Sequence, residues 1–270
     1  MIELKQFELT IEDHIAHLNF NRPQKANSLN MESWEELQKA MEFFSDAAEV
    51  RVVILGGKGK NFSGGMDLEV LMNLQSFQQI DGEARKREKL AQHIAYLQDC
   101  VTAIEKCSKP VIAKIHGACI GGAVDIIAAC DMRYASETAK FSIKEIDLGM
   151  VADLGTLQRL PKFMNAGIVA ELAYTGRNFS GIEAEKYGLV ASCYPAESLN
   201  ESVTSLATLI AEKSPVSIRG IKQMLLYTRD HSVNDSLHAM AEWNGSKLLS
   251  HDLLEAFSAT IEKRKPTFKN

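Results

Sequence analysis

Two short apolar runs, each closed by glycine, constrain this chain more than any other feature. Val50, Val52, Val53, Ile54 and Leu55 end at Gly56-Gly57, and Val111-Ile112-Ala113-Lys114-Ile115 ends at His116-Gly117. Neither run alternates apolar with polar residues. A strand with no polar face has to be covered on both sides, as in a parallel sheet flanked by helices. Helical stripes for that purpose lie between and around the runs. Trp34, Leu37, Met41, Phe44 and Ala48 recur every third or fourth residue, with Asn30 placed as an N-cap, and Leu90, Ile94, Leu97, Val101 and Ile104 do the same.

Other elements follow the same logic. Ile2 to Asn19 steps by two, as strands with one solvated face do, until Asn21-Arg22-Pro23 breaks the pattern. Residues 66 to 107 read as helical, Gly121-Gly122 opens an apolar helix running through Cys130, and Met132 to Ala135 reads as a strand. Beyond residue 160 the chain reads as mostly helical, with a capping box at Ser180 and Glu183 and a helix start at Ser214-Pro215. The expectation is one α/β core over 1–200 and a helical C-terminal region over 201–270.

Composition narrows the function. Of 270 residues 46% are hydrophobic, and the formal net charge is −5, so no basic surplus points to nucleic acid. No apolar run nears the roughly 20 residues of a membrane span. Five cysteines without CxxC spacing read as reduced thiols. The start Met1-Ile2-Glu3-Leu4-Lys5 shows no signal or transit pattern, and Phe268-Lys269-Asn270 matches no common C-terminal address, so the expected location is cytoplasmic. Seven scattered histidines form no ligand motif, hence no metal, and they read as ordinary surface or core imidazoles. Gly56-Gly57-Lys58-Gly59-Lys60-Asn61 lacks the order of a phosphate loop or dinucleotide fingerprint, and no GxSxG elbow occurs.

A different constellation remains. Asn61 to Leu68 follows the first buried run, and His116 to Asp125 follows the second. Each is rich in glycine and leads into a helix, where unpaired N–H groups point outward. Two such turns on neighbouring strands could aim two donors at one oxygen, the geometry of an oxyanion hole. Three acids follow: Asp125, Glu145 and Asp153. Taken singly, Asp125 could serve its helix dipole, Asp153 an N-cap, and Glu145 a solvated loop. Their apolar company, Ile126-Ile127 and Leu148 to Leu154, instead suits carboxyl groups of raised pKa that exchange protons near neutrality.

With these residues in view, the chain resembles the crotonase (enoyl-CoA hydratase/isomerase) superfamily over nearly its full length. The resemblance rests on Asn21-Arg22-Pro23 with Ala26-Asn27-Ser28-Leu29, Phe62 to Leu68, Lys109 to Ala113, and Gly117 to Gly122 ending at Cys130-Asp131. A typical hydratase of the family has two catalytic glutamates. Here the first position is Asp125 and the second Glu145, with Asp153 as a third acid, a pattern similar to the Δ3,5-Δ2,4-dienoyl-CoA isomerase branch. Tyr227 to Val233 and Met240 to Asn244 are similar to the same branch, while Ala123 replaces a glycine often found there.

The resemblance implies a crotonase (ClpP-like) spiral of ββα units with a helical C-terminal trimerisation region, assembled as a homotrimer or hexamer. It implies an enzyme of fatty acid β-oxidation that converts 3,5-dienoyl-CoA to 2,4-dienoyl-CoA. Met66 and Gly122 would be the oxyanion donors, Glu145 and Asp153 the proton-transfer pair, and Asp125 a third catalytic acid tuning them. Coenzyme A, part of the substrate and not a separate cofactor, would run along Lys25, Ala26 and Asn27 and the turn Gly64, Gly65, Met66, Asp67, Leu68, beside Gly122. The helical stretch around 70–105 would wall the acyl site. The alternatives are a 2-enoyl-CoA hydratase, disfavoured by the shorter Asp125, and a non-catalytic acyl-CoA-binding protein, disfavoured by three retained acids. An RNA-binding role on this fold gains nothing from the acidic balance.

Overall fold

A computed structural model describes residues 2–270. Its strands are β1 (Phe7–Glu12), β2 (Ile15–Phe20), β3 (Val52–Gly57), β4 (Val111–Ile115), β5 (Ala118–Ile120), β6 (Met132–Ser136), β7 (Lys140–Ser142), β8 (Phe179–Ser180) and β9 (Ser192–Tyr194). The helices are α1 (Met31–Asp46), α2 (Leu68–Asn73), α3 (Glu83–Lys106), α4 (Gly122–Ala128), α5 (Thr156–Arg159), α6 (Ala166–Thr175), α7 (Gly181–Lys186), α8 (Leu199–Ala211), α9 (Pro215–Asp230), α10 (Val233–Lys247) and α11 (His251–Glu262).

Six strands form one sheet in the order β1-β2-β3-β4-β6-β9, antiparallel only at β1–β2. Three more form a second sheet, β5-β7-β8. After β4 and again after β6 the chain bends within a few residues from the first sheet into the second, and helices return it. This repetition is what makes the fold spiral. The two apolar runs become β3 and β4, adjacent and parallel at the centre of the first sheet. Ile15, Val52, Ile54 and Ile112 face α8 through Leu199, Val203 and Ala207, while Val53, Leu55, Val111 and Ala113 face the main core. Both faces are covered, as unbroken apolar strands require.

The helix-capping signals hold. Asn30 accepts from the Ser33 N–H at 2.9 Å, and Ser180 with Glu183 forms the reciprocal capping box. Beyond residue 160 the chain is mostly helical, as expected, interrupted only by β8 and β9; these two and the equally short β5 and β7 are what the sequence did not reveal. Strands of two or three residues are too short to show a period. The helix opened by Gly121-Gly122 ends at Ala128 rather than at Cys130.

One buried ion pair ties the helical C-terminal region to the sheet. Lys222 of α9, 6% exposed, donates to Asp131 Oδ2 at 2.7 Å and to the carbonyls of Ile104 and Lys109 at 3.1 and 3.0 Å. The same Asp131 oxygen accepts the Val111 N–H at the start of β4 at 2.7 Å.

Candidate active site

The site grows from the two turns. Leu29 donates to the Gly65 carbonyl and accepts from the Asp67 N–H, so the intervening Met66 N–H is turned to the other side. Gly65 makes this turn at φ +86°, where a side chain would overlap the Ile120 carbonyl. In the second turn Gly121, at φ +55°, donates to the Ser142 carbonyl, and Gly122 begins α4, where an N–H has no intrahelical acceptor. Among the described residues neither Met66 N–H nor Gly122 N–H has a backbone or side-chain partner, and the two turns touch. A Cβ added to Gly65 would lie 3.4 Å from the Gly122 nitrogen, and one added to Gly122 would lie 3.8 Å from the Met66 nitrogen. Beneath Gly122 lies the ring of the fully buried Trp34.

These donors open into a cavity of about 820 Å³. One wall is apolar: Leu71 and Leu74 after the first turn, then Leu90, Ile94 and Leu97 along α3. Opposite stand Leu148, Met150, Val151 and Leu154, and all three acids reach the space between.

Each acid comes from a different element. Asp125 sits in the first turn of α4, is 1% exposed, and accepts the Thr156 N–H at 2.7 Å through Oδ1. Burial, then the neighbouring Glu145, pushes its pKa up to about 7. Glu145 starts a 3-10 turn, Glu145–Leu148, packed so closely on Gly121 that a Cβ there would meet Oε1 at 3.3 Å. Its Oε2 is buried without a partner, and burial followed by the charge of Asp153 raises its pKa. Asp153 precedes α5 and is the most solvent-accessible of the three; desolvation nevertheless raises its pKa, against a smaller lowering from His93. Three carboxyl groups biased toward the protonated form around one apolar cavity can both take and return protons near neutral pH.

The remaining residues singled out in the sequence fall into two groups. Lys25, Ala26, Gly64, Gly65, Met66, Asp67, Leu68 and Gly122 line the cavity. Asn27 does not. It is fully buried behind the wall, donating to the carbonyls of Lys58 and Asn61 at 2.9 and 2.8 Å and accepting the Arg22 N–H at 2.9 Å. The Asp67 carboxylate is similarly committed to the fold, paired with Arg22 at 3.0 Å and Ser28 at 3.1 Å, so only its outer surface faces the cavity. Asp153 is no N-cap either, since Gly155 holds that position of α5.

Sequence reasoning missed three contributors. His93, read as an ordinary imidazole, lines the cavity near Asp153, and its spacing within the stripe Leu90, Ile94, Leu97 was the available signal. Thr156 and Gln98 hold the acid-bearing segment through its backbone, which no residue pattern announces. Among the described residues no cluster of three or more His, Cys, Asp or Glu could hold a metal ion, and no helix is long and apolar enough to cross a membrane.

Comparison with known proteins shows the family and the fold. Residues 10–270 match the Enoyl-CoA hydratase/isomerase family. The chain is 48% identical over 260 residues to a peroxisomal Delta(3,5)-Delta(2,4)-dienoyl-CoA isomerase of Arabidopsis thaliana, covering 95% of this chain and 93% of that protein. It is 42% identical over 255 residues to the mitochondrial Delta(3,5)-Delta(2,4)-dienoyl-CoA isomerase of Homo sapiens, covering 94% and 78%. The crystal structure of an enoyl-CoA hydratase from Bacillus anthracis superposes with a TM-score of 0.89 at 30% identity, over 98% of this chain and 99% of that one. These relatives overturn the expectation of a cytoplasmic location, since they are peroxisomal and mitochondrial proteins. The expectation rested on finding no familiar signal at either end of the sequence, and failing to match a common pattern does not assign a compartment.

Proposed function

Since the chain belongs to the enoyl-CoA hydratase/isomerase family, we propose that it isomerises 3,5-dienoyl-CoA thioesters to 2,4-dienoyl-CoA. The observation that carries this reading is the set of three acids, Asp125, Glu145 and Asp153, around one cavity that also holds two free N–H donors. The thioester carbonyl accepts from Met66 N–H and Gly122 N–H. As a C2 proton leaves, charge collects on that oxygen, where a preorganised donor is typically worth about 3–4 kcal/mol. Glu145 and Asp153 are the proton-transfer pair: one takes the C2 proton, the other delivers a proton at C6, and the two double bonds shift into conjugation with the carbonyl. Asp125 tunes the pair. The coenzyme A portion follows Lys25, Ala26 and the Gly64–Leu68 turn, and the acyl chain lies along the leucine-rich wall.

Asp125 also weighs against hydration as the main activity. Its Oδ1 is already occupied by the Thr156 N–H, and its side chain is one carbon shorter than the glutamate a hydratase uses to hold water. The helices from residue 201 onward, with Leu225, Leu237 and Phe257 exposed on their surfaces, suit assembly into a trimer or hexamer. The test is a pair of assays on purified protein. Diene absorbance should grow from 3,5-dienoyl-CoA and be abolished by Glu145→Gln and by Asp153→Asn, while 2-enoyl-CoA is hydrated slowly or not at all. Rapid hydration without isomerisation would establish the hydratase instead.

A further inference from the structure

The segment that carries Asp153 is a thin partition. Asp153 and Leu154 border the acyl cavity on one side and, on the other, a polar cavity of about 550 Å³ lined by Thr102, Glu105, Arg159 and Arg229. Ala152 and Leu154 anchor this strip in the main core, while Asp153 between them stands exposed. At Asp153 and just beyond it, the backbone is further fixed by side chains that reach it one residue at a time. Gln98 of α3 donates to the Asp153 carbonyl at 2.6 Å, Arg159 Nη1 to the Leu154 carbonyl at 3.1 Å, and the Thr156 N–H is taken by Asp125.

Arg159 is the member of this set that connects to the rest of the protein. Its Nη2 donates to Thr102 Oγ1 at 3.1 Å and to Glu105 Oε2 at 2.9 Å, both on α3. Glu105 and Arg159 are almost wholly buried, and the second oxygen of Glu105 is taken by Arg229 of α9. Arg229 lies in Tyr227 to Val233, the segment that stood out in the sequence but received no role in the reaction. The chain of contacts therefore runs from α9 through Glu105 and Arg159 to the carbonyl next to Asp153.

We infer that Arg159, clamped by Glu105 and Arg229, is a positioning residue that sets the reach of the Asp153 carboxyl into the acyl cavity, and that α9 thereby controls one of the two proton transfers. The inference rests on the isomerase reading above. Arg159 touches neither the cavity's oxyanion donors nor Glu145, so its loss should disable the Asp153 step alone. Two parallel planar contacts are needed, one to a carbonyl and one to a carboxylate, which a lysine ammonium on a single stem does not supply.

The experiment follows isotope exchange in D2O from both 3,5-dienoyl-CoA and 2,4-dienoyl-CoA, with deuterium located at C2 and C6. Asp153→Asn identifies the carbon that Asp153 serves. Arg159→Met should lower kcat ten- to a hundred-fold, change KM less than threefold, and suppress exchange at that same carbon while exchange at the other stays within twofold of wild type. Arg229→Met, which leaves the Arg159 bond to Leu154 in place, should show the same carbon selectivity with a two- to tenfold loss of kcat, and it serves alone should Arg159→Met fail to fold. Equal loss of exchange at both carbons, a loss that follows the Glu145→Gln pattern, or an unchanged kcat in the folded variants would overturn the inference. A wild-type protein inert toward both dienes refutes the isomerase reading itself, and is seen before any variant is made.

Discussion

Asp125 lets the cost of building this site be measured as stability. Its pKa rises from an ordinary 3.8 to about 7 in the folded protein, chiefly through burial. Below pH 3.8 both folded and unfolded chains carry the proton. As pH rises further the unfolded chain ionises first, so stability falls until the folded carboxyl also ionises near pH 7, and is then level. A shift of that size corresponds to about 4 kcal/mol, falling at about 1.4 kcal/mol per pH unit over the window. Asp125→Asn keeps an oxygen to accept the Thr156 N–H but has no charge to bury. The stability of wild type relative to this variant should therefore drop by about 3 kcal/mol between pH 5 and pH 8. Urea denaturation at fixed protein concentration, followed through the buried Trp34, measures both proteins across that range. A difference constant to within about 1 kcal/mol would mean that Asp125 ionises freely in the fold, and the electrostatic picture of the site would fail.

Gly121→Ala places a methyl group 3.3 Å from Glu145 Oε1 at a residue of φ +55°; isomerase kcat should fall at least about a hundredfold, while the backbone strain costs only about 1–2 kcal/mol in a urea titration. Lys222→Met leaves Asp131 buried without its cation, and should destabilise the protein by about 3–5 kcal/mol in the same titration.

The legible parts of this protein were those whose chemistry is local. The apolar runs of β3 and β4 announced a doubly covered sheet because each residue carries its own preference for burial. The glycines of the two turns were visible for a similar reason, since only they tolerate those backbone angles beside another backbone. The three acids could be listed but not assembled. That Asp125 caps the segment following Asp153 depends on a bond between residues 125 and 156, and no spacing rule encodes it. Asn27 misled because it sits among true wall residues while its amide turns inward to Lys58 and Asn61. His93 was hidden in an apolar stripe, where imidazole usually means ordinary packing.

The wall formed by α2, the following 3-10 turn and α3 has a consequence for how such a protein can diversify. The three acids hang from α4 and from the connections that follow it, whereas Leu71, Leu74, Leu90 and Ile94 belong to an excursion between β3 and β4. The acids and much of the apolar wall thus lie on different pieces of chain, with Met66 at the near end of the excursion. On the proposed reading, wall residues of the excursion can be exchanged for larger or smaller ones to admit a different acyl tail, with the three acids carried over intact. Its two ends are shared by both, the near one through Met66 and the far one where Gln98 and, by way of Arg159, Glu105 hold the Asp153 segment, and there a change of substrate range becomes a change of rate.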